Sequence, residues 1–129
     1  MSDPITDMLN QIRNAQMVEK PEILIPHSQI KESIAEILAQ EGFVSSVKKS
    51  LKKEAKVLKI ILKYNQGLPA IADLKRVSKP GQRMYSRYSE LRPVKGGQGI
   101  SILSTSKGLM TNKKARKEKL GGELICEIW

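Results

Sequence analysis

The 129 residues predict an α+β protein of two small lobes: an α-β-α-β-β N-terminal lobe and a mostly β C-terminal lobe with one short basic helix. Apolar residues recur at helical spacing in two early segments, whereas later ones alternate with polar residues or form short β-branched runs. Gly and Pro punctuate those runs at short intervals. The charge composition shifts at Lys79-Pro80-Gly81, which places the boundary between lobe 1–79 and lobe 80–129.

Each element has a local reason. Asp3 can cap a first helix and Pro4 suits its first position, while Ile5, Met8, Leu9 and Ile12 fall on one face. The opposite face carries Asn10, Arg13 and Asn14. Glu22-Ile23-Leu24-Ile25 reads as a strand closed by Pro26. Ser28 caps a second helix with the stripe Ile30, Ile34, Ile37 and Leu38, and Gly42 stops it. Phe43 to Val47 is the next strand, Lys48 to Glu54 a basic turn, and Val57 to Leu62 the returning strand. A further strand is expected over Ala70 to Val77.

Beyond Pro80, Arg83 to Ser86 reads as a short strand and Tyr88 to Val94 as a connector. Gly96-Gly97 marks a turn, and Gly99 to Leu103 a strand that ends in the loop Ser104-Thr105-Ser106-Lys107-Gly108. Thr111 caps a helix over Asn112 to Lys119. Gly121-Gly122 releases the chain into a last strand, Glu123 to Trp129.

Composition narrows the function. Lys and Arg number 23 against 13 Asp and Glu, a net charge of +10, which favours polyanionic partners. Up to Ser78 there are 12 basic and 9 acidic residues; from Lys79 onward there are 11 basic and 4 acidic. The positive field therefore concentrates in the second lobe. No apolar run approaches the roughly 18 residues of a membrane span. Met1-Ser2-Asp3-Pro4 has neither a basic leader nor the Arg/Ser richness of a transit peptide, and the single Cys126 suits a reducing compartment, so a cytoplasmic setting is expected. Cys126 and His27 stand alone and far apart, so neither a metal site nor a cofactor is expected. Cys126 reads as a buried strand residue and His27 as a surface or cap-side residue.

The candidate site follows from the second lobe. Ser104, Thr105 and Ser106 offer three consecutive hydroxyls of little bulk, Gly108 permits a left-handed backbone, and Lys107 adds a cation. Such a loop suits the sugar hydroxyls, base edges and phosphates of RNA; an ordinary loop held by its own hydroxyls is the alternative. In the helix Asn112 to Lys119, five of eight residues are basic, and Lys113, Lys114 and Arg116 suit phosphate contact. Tyr85 and Tyr88, set among Lys79, Arg83 and Arg87, can stack on an unpaired base, or one of them can pack in the small core. Glu123, an isolated acid in a basic lobe, is a plain strand residue, or it orients a neighbouring lysine, or it accepts from a base amino group. Ser104 to Lys107 also fits the S-x-x-K pattern of acyl enzymes, but its companion motifs are missing and no enzyme is expected. A membrane-surface helix is disfavoured because Ala115 is the only apolar residue among the cations at 112–119.

Four segments in order carry a resemblance: Asp3-Pro4-Ile5-Thr6-Asp7-Met8-Leu9 through Asn14-Ala15, Lys79-Pro80-Gly81-Gln82-Arg83-Met84-Tyr85, Ser104-Thr105-Ser106-Lys107-Gly108-Leu109-Met110-Thr111, and Gly121-Gly122-Glu123-Leu124-Ile125-Cys126. Together they resemble the bacterial small-subunit ribosomal protein eight family over essentially the whole chain. The resemblance implies a two-lobed protein, next to other small-subunit proteins, that binds the central domain of small-subunit rRNA through its C-terminal lobe. It places that role on Tyr85, Ser104, Thr105, Ser106, Lys107, Gly122 and Glu123, and it makes Arg13 and Asn14 of the first helix further candidates. In some bacteria members also repress a messenger of their own operon. The chain departs from the family pattern at Gln11, often basic there, at Pro93, one residue later than usual, and at Asn112, often Asp. Gln11 weakens the expected contacts of the first helix, and Asn112 leaves Thr111 alone to cap the basic helix.

Overall fold

The computed structural model describes residues 3–129; Met1 and Ser2, part of the leader reading, lie outside them. The described residues divide into two compact units, one of Ile5–Ile71 and one of Ala72–Trp129 together with Asp3 and Pro4. The compositional break at Lys79-Pro80-Gly81 is a turn inside the second unit, closed by Lys79 and Gln82 pairing backbone to backbone at 3.0 and 2.9 Å. The units divide eight residues earlier, between Ile71 and Ala72, because the strand after that point pairs within the second unit.

Helix α1 (Pro4–Met17) buries Ile5, Met8, Leu9 and Ile12, as the sequence periodicity requires. Strand β1 (Glu22–Pro26) turns Ile23 and Ile25 inward. Ser28 caps α2 (Gln29–Gln40) by accepting from the Lys31 amide at 3.3 Å. The buried stripe of α2 is Glu32, Ile34, Ala35 and Leu38; Ile30 is exposed and Ile37 only half-buried, contrary to the sequence reading. Glu32 takes a buried place because His27 Nε2 stands 2.6 Å from its carboxylate and Lys49 3.6 Å. The His27 hydrogen bond, then Lys49, holds that carboxyl below its ordinary range.

Strands β2 (Val44–Lys52) and β3 (Ala55–Leu62) form a long hairpin, and the sheet order is β1-β3-β2. The expected basic turn over Lys48 to Glu54 is mostly strand; only Lys53 and Glu54 turn, both at positive φ (50° and 66°). Two such residues give a primed turn whose twist matches that of the strands. A small hairpin, β4 (Tyr64–Asn65) with β5 (Leu68–Pro69), completes this unit; two-residue strands leave no alternation in the sequence to signal it.

In the other unit, β6 (Leu74–Arg76), β7 (Tyr85–Ser86), β8 (Ile100–Thr105), β9 (Gly108–Thr111) and β10 (Gly122–Ile128) form one antiparallel sheet. Its order is β6-β10-β8-β9, with β7 also on β10. The strand expected over Ala70 to Val77 is thus short, and it belongs to this sheet. Helix α3 (Asn112–Lys117) lays Ala115 on Leu103 and Met110, with Leu91, Leu120 and Leu124 around them. Cys126 is buried in β10, where desolvation pushes its thiol up to about 12 and leaves it inert. Asp3 holds Arg76 at 3.1 Å.

Candidate nucleic-acid interface

The hydroxyl segment is a β-hairpin rather than a strand-to-helix loop. Ser104 and Thr105 end β8, Gly108 opens β9, and only Ser106 and Lys107 turn. The missed strand β9 is short and carries just two large apolar residues, Leu109 and Met110, so no periodicity announces it. Gly108 sits at φ 103°, the left-handed conformation expected of it.

The three hydroxyls differ in their commitments. Thr105 Oγ1 accepts from the Lys107 amide at 3.1 Å and donates to the Gly108 carbonyl at 2.8 Å, so it closes the turn. Ser106 and Lys107 are exposed, and neither side chain has a protein partner among the described residues. The hairpin tip therefore presents one free hydroxyl and one free ammonium on a preorganised backbone.

Strand pairing aligns the next residues. Tyr85 lies opposite Glu123, Glu123 opposite Ser104, and Ser104 opposite Leu109, which makes one row across β7, β10, β8 and β9. The neighbouring row of Leu124, Leu103 and Met110 faces α3, so by alternation the Tyr85–Glu123–Ser104 row leaves the other face of the sheet. The structure thus brings Tyr85, Glu123 and Ser104 together, beside the hairpin tip. It does not bring the cations of α3 to that face.

Tyr85 is 72% exposed and Tyr88 40%, so neither packs in the core. Tyr85 walls an open hollow of about 400 Å³ with Ser86, Arg87, Glu90, Gly121 and Gly122. At Gly121 and Gly122 the lining is backbone, because the neighbouring strands leave no room for a side chain. A β-carbon on Gly121 would meet the Ser86 carbonyl at 2.6 Å, and one on Gly122 would collide with the Ser104 carbonyl. The sequence reads both glycines as a turn that releases the last strand, and the resemblance adds an RNA-binding role at Gly122; neither reading gives the steric reason for glycine here.

Glu123 pairs with Arg83, at 2.9 Å, and not with a lysine. Ser78, fully buried, donates to the same carboxylate oxygen at 2.6 Å and accepts from the Met84 amide at 3.0 Å. Sequence gave no signal for Ser78, since its partner lies 45 residues away. The Ser78 bond first, then Arg83, outweighs desolvation and holds the Glu123 carboxyl below its ordinary range. A lowered carboxyl adds stability that is full above the unfolded value of about 4.3 and disappears as pH falls through the folded one. Urea midpoints of the protein and of Glu123→Gln should therefore differ by a constant amount from pH 6 to 8 and converge below about pH 4. A gap that widens on acidification would contradict this.

Thr111 caps α3 by accepting from the Lys114 amide at 3.2 Å. The helix is shorter than expected and ends at Lys117. Asn112 does more than leave the cap to Thr111. It is buried, accepts from the Ser101 amide at 3.3 Å and donates to the Arg92 carbonyl at 3.1 Å, tying the connector to the sheet. Arg116 reaches the Leu91 carbonyl at 3.4 Å and is partly committed to structure. Lys113, Lys114, Lys117 and Lys119 form no ion pair among the described residues, nor does exposed Lys79 on its turn. Arg13 and Asn14 lie on α1 in the other unit, where Arg13 donates to Asn10 at 2.9 Å.

Among the described residues no cluster of three or more His, Cys, Asp or Glu stands ready for a metal, and no helix is long and apolar enough to cross a membrane. What the surface can do is donate: hydroxyl, ammonium, guanidinium and amide groups around a glycine-floored hollow with an aromatic wall.

The family model described as Ribosomal protein S8 matches residues 3–129. The small ribosomal subunit protein uS8 of Desulfitobacterium hafniense is 50% identical over 130 residues, covering 100% of this chain and 98% of that protein. Its counterpart in Caldanaerobacter subterraneus subsp. tengcongensis is 51% identical, with the same coverage. That of Nitratidesulfovibrio vulgaris is 51% identical, covering 100% of this chain and 99% of the relative.

Proposed function

The chain belongs to the ribosomal protein S8 family, and from that membership we propose that it is a cytoplasmic, structural, non-enzymatic constituent of the small ribosomal subunit. In this reading it binds the central domain of small-subunit rRNA directly, helps that domain assemble, and sits next to other small-subunit proteins. The observation that carries the reading is the Ser106–Lys107 tip, free of protein partners, beside the Tyr85–Glu123–Ser104 row. Ser106 and Ser104 address sugar and base edges, Tyr85 stacks an unpaired base over Gly121-Gly122, and Glu123 fixes Arg83 while its second oxygen accepts from a base. Thr105 and Gly108 shape the tip. Lys107, Lys79, Tyr88, Lys113, Lys114 and Arg116 supply the surrounding contacts, and Arg13 and Asn14 secondary ones. Because the readout groups address an irregular, partly unpaired RNA element, a messenger that folds alike would compete for the same surface, which is the basis of repression.

Sequencing the RNA fragments protected by the purified protein on small-subunit rRNA tests the proposal. One irregular helix of the central domain is expected; scattered protection without preference would overturn it. Salt tests the backbone component separately. If about six to eight phosphates are neutralised, log affinity should fall with log salt at a slope near −4 to −7. Lys113→Ala with Lys114→Ala should make it shallower by about one or two and weaken all RNAs alike. A wild-type slope near zero would remove phosphate contact from the account.

A further inference from the structure

The far end of the β2–β3 hairpin has no role in the site described above. From Lys48 to Lys56 every residue is exposed, and the last pairs, Leu51–Lys56 and Lys52–Ala55, lie past the end of β1, whose pairing stops at Val57. The segment holds Lys48, Lys49, Lys52, Lys53 and Lys56 against the single acid Glu54. Lys48 stands directly opposite Lys59, a like-charge pair that opposes the sheet. Glu22 relieves Lys59 at 3.2 Å and Glu32 relieves Lys49 at 3.6 Å. Lys48, Lys52, Lys53 and Lys56 have no ion pair among the described residues. Nothing among the described residues pairs these four cations, and Lys48 opposes Lys59 across the hairpin.

We infer that this hairpin is a second phosphate-binding arm, carried by the unit that lacks the readout site, and that its partner is the RNA backbone. The inference rests on the RNA-binding reading above. Its chemistry is dominated by backbone contact: beside the lone hydroxyl of Ser50 the arm has no arginine fork, no aromatic and no amide side chain, and its five lysines are flexible point charges that hold phosphates without regard to sequence. The cores of protein interfaces are depleted in lysine and enriched in aromatics, the reverse of this surface, whose one large apolar group is Leu51. The arm thus adds affinity and salt dependence to the full chain while leaving its choice of RNA to the other unit.

The test compares the full chain with the variant Lys48→Gln, Lys52→Gln, Lys53→Gln, Lys56→Gln, on a small-subunit rRNA transcript and on a mixed-sequence RNA duplex across salt. The slope should become shallower by about two to three on both RNAs, with the ratio of their affinities unchanged. Removing the repulsion should leave the melting temperature equal or higher, which separates lost contact from lost folding. An unchanged slope on both RNAs, with Lys113→Ala and Lys114→Ala still shallowing it, overturns the arm alone. A wild-type slope near zero overturns the RNA-binding reading together with the arm. Loss of polyglutamate binding with RNA slopes intact reassigns the hairpin to an acidic protein and also overturns the arm.

Discussion

Replacing Gly122 with alanine is expected to break the centre of the second sheet. The added β-carbon would collide with the Ser104 carbonyl, also press on Thr105, and meet backbone that cannot swing aside like a flexible side chain. Either β10 leaves β8 near Glu123–Ser104, or the bulge between Leu124 and Cys126 spreads towards the hairpin. Overpacking typically costs about 1–3 kcal/mol and occasionally more, a sizeable part of the roughly 5–15 kcal/mol that holds a small protein folded. Target RNA should be lost with it, because the row of Tyr85, Glu123 and Ser104 is assembled by this pairing. Gly81→Ala is the control: no heavy atom lies within 4 Å of its added β-carbon, and its φ is ordinary, so stability should stay within about 0.5 kcal/mol. Urea melts and RNA titrations on both variants check the pair. Equal melts would show that the close approach of the strands is not needed.

The second large effect separates recognition from scaffolding on neighbouring hydroxyls. Ser106 has no protein partner, so Ser106→Ala should leave the melt unchanged. Against target RNA it should cost about 1–3 kcal/mol, roughly five- to 150-fold in affinity, by leaving an RNA polar group unpaired. No charge is removed, so the salt slope should not move. Thr105→Val behaves differently, because it deletes the bonds to the Lys107 amide and the Gly108 carbonyl. It should lower stability by about 1 kcal/mol and weaken binding only through a looser tip. Should Ser106→Ala bind as well as the unaltered protein, readout does not reside at the hairpin tip.

These contrasts also mark how far the sequence could be read. Local signals were reliable where the cause is local: Pro4 and the stripe Ile5, Met8, Leu9 and Ile12 for α1, Ser28 and Thr111 as caps, Gly108 at positive φ. The candidate residues around Ser104 were legible as a chemical type. What the turn residues do among themselves was not, and the closing role falls to Thr105 while Ser106 stays free. Two of the differences have a long-range cause and one a local side-chain contact. Strand β6 joined the other sheet because β10, some fifty residues later, is its partner. Glu123 took Ser78 and Arg83 through contacts 45 and 40 residues apart. Ile30 lost its place in the stripe because His27 and Lys49 make Glu32 affordable inside. Periodicity cannot report any of these: the first two depend on where a distant segment arrives, and the third on a side-chain contact between His27 and Glu32 that a hydrophobic pattern does not carry.

The position of β10 sets an order of events during synthesis. β6, β7 and β8 all pair with it, and the only remaining strand of the sheet, β9, pairs with β8. On a growing chain, made at roughly 5–20 residues per second, three strands wait without their shared neighbour until Gly122–Ile128 has emerged. The first unit, Ile5–Ile71, holds all of its strands long before that. Glu123 and the glycine floor arrive only with the final segment. If RNA is selected by the site proposed above, a nascent or truncated chain offers folded bulk without the means to select, and immature copies would not compete with finished ones.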